Sequence, residues 1–154
     1  MSAPYDNRLS TLLPGSWLLK SRIDLTASGA QHHDPLLGED PVALLIYDRT
    51  GHFSAQFMKR DRSNVQAAAP DIAKNNTSAQ GGYDAYFGTY TVNDATGAVT
   101  QRLLGAISSG NVGMTLTRVM EVFGNTLVIQ LDTSAADGTA VTRTLTWERL
   151  GDVA

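Results

Sequence analysis

PVALLIYDRTGHFSAQFM, residues 41–58, is the stretch whose reading decides the fold. It holds two strand-like runs around the turn Asp48-Arg49-Thr50-Gly51. Val42–Tyr47 is apolar on both faces. His52–Met58 alternates: His52, Ser54, Gln56 and Met58 share one face, and Phe53, Ala55 and Phe57 share the other. A period of two, carried by β-branched and aromatic residues, is the mark of strands. Gly51 supplies the positive φ that closes such a turn.

The same signature recurs outward from this hairpin. Gly15–Leu25 separates Trp17, Leu19, Ser21 and Ile23 from Leu18, Lys20, Arg22 and Asp24, the pattern of a half-buried antiparallel strand. Strands are also expected over Tyr83–Val92, Ala98–Leu104, Val112–Phe123, Thr126–Asp132 and Ala140–Leu150. Helix is confined to one turn at Leu9–Leu13, stopped by Pro14, and a short segment at Asp71–Lys74 behind Pro70. Residues 1–14 read as a tail and 15–150 as the domain. An all-β chain of about eight strands closes most readily as an antiparallel up-and-down barrel, because closure removes the edges. Such a barrel has room inside for side chains or one small ligand.

Connection lengths alternate. Residues 26–40, 59–82, 105–111 and 133–139 are long, whereas 48–51, 93–97 and 124–125 are short. In a meander, successive connections fall at opposite ends, so the long loops form one mouth and the tight turns one floor. Trp17 starts its strand at the floor, and the last strand returns Trp147 and Arg149 to it. A guanidinium lying on the Trp17 indole is expected there.

The 154 residues include no cysteine, which excludes a disulfide framework and a thiolate nucleophile. The net charge of -3, without a basic run, argues against nucleic acid as a partner. The start MSAPYDNRLSTLLPG has neither a positive n-region nor a long apolar run, so a cytoplasmic chain without membrane span is expected.

Four blocks in order, GSWLL (15–19), EDPVALLIYDRTGHFSAQFM (39–58), GYDAYFGTYTV (82–92) and LTWERL (145–150), resemble the bacterial and fungal lipocalin-like domain family of the calycin superfamily. The resemblance implies an apolar-lined barrel that holds a small hydrophobic or amphipathic molecule. It leaves open a cofactor-free cyclase or isomerase using the same lumen, and a filled barrel serving as an interaction module stands beside both. Secreted lipocalins carry a leader and often disulfides; their absence points to an intracellular branch.

Within such a lumen, Arg118 shares a face with Met114, Leu116, Met120 and Val122, and Arg143 with Val141, Leu145 and Trp147. Two inward guanidiniums would favour a carboxylate, phenolate or enolate. Alternatively they pair with Asp84, backbone carbonyls or loop acids, or reach the rim. Ser21, Ser54, Gln56, Tyr86 and Tyr90 are the expected polar lumen groups, and Met58 and Met114 the expected apolar neighbours. No cofactor is implied. His32-His33-Asp34 has metal-ligating types but lacks a third ligand converging from elsewhere, so no metal is assigned. With Ser54 and Gln56 inward, Phe53, Ala55 and Phe57 would form an outer apolar patch, and a homodimer through residues 42–57 is expected. The reversed parity would put the phenylalanines in the lumen.

Overall fold

A computed structural model describes residues 6–33, 36–63, 79–135 and 137–152. The expected Asp71–Lys74 helix lies outside these residues. The chain forms α1 (Leu9–Leu12), β1 (Gly15–Leu25), β2 (Gln31–His32), β3 (Val42–Tyr47), β4 (His52–Met58) and β5 (Tyr83–Asn93), followed by β6 (Ala98–Ala106), β7 (Thr115–Phe123), β8 (Thr126–Ser134) and β9 (Ala140–Arg149). Eight of the strands run β1-β3-β4-β5-β6-β7-β8-β9, every pair antiparallel, and β9 pairs back onto β1 from Trp17↔Arg149 to Leu25↔Thr142. The sheet is therefore a closed barrel. The short β2 adds a strap on the outer half of β1 through Asp24↔His32. Val112–Met114 precedes β7 instead of extending it, because a 3₁₀ turn at Ser109–Asn111 and Gly113, at a φ of 87°, turn the chain there.

Alternation decides what the barrel encloses. Phe53, Ala55 and Phe57 are buried, and Gln56 is exposed. The parity of β4 is thus the reverse of the primary expectation. The reason is apolar area: two phenylalanines lose more by facing water than Ser54 and Gln56 lose by facing it. Phe53 packs on Tyr47 at 5.9 Å and Phe57 meets Trp147 edge-on at 5.7 Å. These rings therefore form no outer patch. The apolar residues on the outer face of the hairpin are Val42, Leu44, Ile46 and Met58. The hairpin turn itself is as read: Gly51 takes a φ of 93°.

A second parity change comes from β1. Its register with β9 slips between Leu19 and Ser21, so Lys20 is an extra residue in the ladder. Such a bulge re-aims everything beyond it. Trp17 and Leu19 point inward before it, and Arg22 and Asp24 point inward after it. Ser21 and Ile23 consequently turn outward.

The floor is closed as expected, and more completely. Trp17 is fully buried and the Arg149 guanidinium carbon lies 4.3 Å from its ring centroid. Arg149 donates to the carbonyls of Pro14, at 2.9 Å, and Leu12. Trp17 Nε1 donates to Leu13 O at 3.0 Å. Leu9 and Leu13 belong to the core, so the segment just before β1 is a stopper across the barrel end. Arg149→Met removes the cation–π contact and both charged hydrogen bonds. We expect a loss of about 2 kcal/mol in urea unfolding and faster limited proteolysis around residues 9–14.

Candidate functional site

The strand ends that lead into the long connections lie at the other end, and the lumen holds a cavity of about 50 Å³. That is room for roughly four water molecules. Its apolar wall includes Leu45, Phe57, Met120, Ile129, Leu145 and Trp147, and its polar wall is Arg22, Tyr47, Asp84, Tyr86, Gln101, Arg118 and Arg143.

The charged groups fall into a pattern set by register. Asp24 and Arg143 are direct cross-strand partners on β1 and β9. Arg143 Nε and Nη2 donate to the two Asp24 carboxylate oxygens, each at 2.9 Å, in a bidentate fork. Arg22, two residues along β1 and so on the same face, donates to Asp24 at 3.4 Å. All three side chains are buried. Burial pushes the Asp24 carboxyl up, but the hydrogen bonds and charge of Arg143, helped by Arg22, outweigh it and hold the group below the usual carboxylate range.

Asp84 behaves in the opposite way. It lies on β5 directly across from Phe57 on β4 and is 3% exposed. Burial raises it to about 7, against the pull of the Ala85 N–H and the more distant charges of Arg22 and Arg143. Near neutral pH it exists in both protonation states.

Arg118 extends inward from β7, where Leu116 and Met120 on the same face are buried. Burial, helped by the charge of Arg143, lowers its pKa from the ordinary arginine value, opposed by the nearby phenols of Tyr86 and Tyr47. It remains a cation. One of its donors reaches the Thr117 carbonyl at 3.3 Å. Tyr47 is fully buried, accepts from Gln101 Nε2 at 2.5 Å and donates to the Met120 sulfur at 3.8 Å. Burial pushes its phenol well above the usual range, so it acts as a neutral donor.

Of the residues expected from sequence, Tyr86, Arg118 and Arg143 face the cavity together. The others do not line it. Ser21 is turned out by the bulge, and Ser54, Gln56 and Met58 sit on the outer face of β4; Gln56 there accepts from Tyr83 Oη at 2.6 Å. Tyr90 points inward but near the floor, edge-on to Tyr47 at 4.8 Å, and donates to Asp48 O. Met114 packs on the core from the loop before β7. Arg22, Asp24 and Gln101 were missed. A signal for the first two existed: opposite charges two apart on one strand share a face, and an inward Arg143 requires an inward acid.

His32 and His33 engage different acids, Asp137 at 3.4 Å and Glu39 at 3.0 Å. Among the described residues no cluster of three or more metal-ligating side chains forms, and no helix is long and apolar enough to cross a membrane.

A closed eight-stranded antiparallel barrel with an apolar lumen and a few convergent polar groups defines a barrel of the small-molecule-binding class. The chain belongs to the lipocalin-like domain family, which it matches over residues 14–150. No curated protein is a significant match to it.

Proposed function

We propose that the protein binds a small amphipathic anion in its lumen, with a carboxylate, phenolate or enolate toward Arg118 and the apolar part against Phe57, Leu145 and Trp147. The charge balance of the lumen supports this reading. Among the described residues, three guanidiniums, Arg22, Arg118 and Arg143, meet two carboxylates, Asp24 and Asp84, in the lumen. Among these described residues the guanidiniums outnumber the carboxylates by one when Asp84 is ionised and by two when it is protonated. In a low-dielectric lumen such an excess attracts an anion and disfavours a cation. The Trp147 indole N–H, buried in the wall without a partner among the described residues, is a further donor beside the cavity. The cavity volume bounds the ligand, since a long acyl chain does not fit without rearrangement of the lining.

Calorimetry with short and long alkanoates and their matched alcohols tests this. We expect alkanoates to bind at least about tenfold more tightly than the alcohols, the worth of a charge-assisted hydrogen bond. Affinity should peak at about four to six carbons, given the volume. Arg118→Leu should lose about tenfold for the acid and little for the alcohol. Equal affinity for both series, or an unchanged Arg118→Leu, would sink the proposal.

A further inference from the structure

Removing a proton from carbon next to a carbonyl needs a base on one side and a stabilised oxygen on the other. The lumen offers both on different strands. Asp84 projects from β5 near the mouth, and Arg118 from β7. The cations that act on Asp84 are Arg22 and Arg143, whereas Arg118 sits by the phenols of Tyr86 and Tyr47 and also feels the charge of Arg143. Asp84 and Arg118 thus line one cavity from two different strands and form no ion pair with each other. A cavity of about 50 Å³ is small enough that a ligand filling it meets both. Tyr47 adds a pre-set donor. Gln101 already occupies its oxygen as an acceptor, and its own proton is spent on a thioether, a weak acceptor. Turning that O–H toward a developing oxyanion exchanges a poor hydrogen bond for a strong one.

Resting on the reading of the lumen as a ligand site, we propose a proton-transfer activity on small carbonyl compounds, with Asp84 as the catalytic base and acid and Arg118, Tyr86 and Tyr47 as the oxyanion site. The C–H bond next to the carbonyl breaks and its proton goes to an Asp84 carboxylate oxygen. The bonding pair forms a carbon–carbon double bond, and the carbonyl π pair moves onto oxygen beside Arg118. Return of the proton to the same carbon gives exchange, and return to a conjugated carbon gives isomerisation. No oxidant, reductant or cofactor enters the balance. The burial that raises Asp84 also supplies both of its states near neutral pH, which a group that takes and returns a proton needs. The described titratable groups around it are Arg22 and Asp24 on β1, Tyr47 on β3, Tyr86 on β5, Arg118 on β7 and Arg143 on β9.

The test is deuterium incorporation into cyclopentanone in D₂O, followed by NMR, alongside calorimetric binding of cyclopentanecarboxylate. We expect exchange at least about a hundredfold above the buffer rate, rising with pH to a plateau with a midpoint near 7. Asp84→Asn should abolish the excess while binding the carboxylate at least as tightly as wild type. Arg118→Met should lower the plateau at least about tenfold without moving the midpoint. Carboxylate binding with no excess exchange, or exchange that survives in Asp84→Asn, overturns the activity and leaves the binding reading standing. No carboxylate binding together with no excess exchange overturns the two together.

Discussion

Asp24→Ala is expected to destabilise the protein by about 3–5 kcal/mol, because it leaves Arg143 and Arg22 buried without the carboxylate they share. The figure is mainly the penalty of keeping buried cations without that carboxylate and not the net worth of the ion pair. For a domain of this length each kcal/mol moves the midpoint by roughly 2–4 °C, so thermal unfolding should shift down by about 10 °C. The expectation has a built-in control. Replacing Asp24 and Arg143 together by apolar residues of similar volume removes one buried cation along with the anion. That double variant should recover most of the loss. If Asp24→Ala unfolds within about 1 kcal/mol of wild type, the cluster is better hydrated than its burial implies.

Asp84→Asn is expected to do the reverse and stabilise the protein above neutral pH. Asp84 titrates near 7 in the fold and near 3.8 when exposed. Between these values the native state holds a proton that the unfolded state has lost, so unfolding free energy falls as pH rises. The fall is complete above about pH 7 and amounts to on the order of 4 kcal/mol. Asparagine is neutral throughout and escapes it. The difference between variant and wild type should therefore be near zero at about pH 4, grow through pH 5 and 6, and level off above 7. Urea unfolding across that range reads it directly. A difference independent of pH would mean that Asp84 is not the buried titrating group. A destabilisation of this kind at neutral pH accords with the proposed role of Asp84 in the lumen.

These two aspartates were not equally legible. Asp84 lies on a strand whose alternation runs unbroken through Tyr86, Gly88 and Tyr90, so its inward direction follows from period alone. Asp24 lies beyond an extra residue, Lys20, that nothing in the local pattern announces. A bulge is a property of the pairing between two strands, and a strand read alone carries no trace of it. The hairpin at residues 42–58 gave a different kind of error. Its two faces of β4 were correctly separated, but which one faced inward turned on the aromatic rings of Tyr47, Tyr86 and Trp147 against which Phe53 and Phe57 pack. Those partners come from three other strands.

By itself the sequence determined the eight barrel strands, though not the β2 strap or the start of β7, their order in a closed meander, the end that carries the long loops, and the Trp17–Arg149 floor. All of these depend on periodicity, turn chemistry and the alternation of connections, which are local or additive along the chain. Only the tertiary structure decided that Arg22, Asp24 and Gln101 turn inward beside Asp84, Tyr86, Arg118 and Arg143, and that Ser21, Ser54 and Gln56 do not. One inserted residue or one inverted face redirects every side chain beyond it, and cross-strand packing fixes the outcome. The pairing of Asp24 with Arg143, across 119 positions of sequence, is the clearest instance.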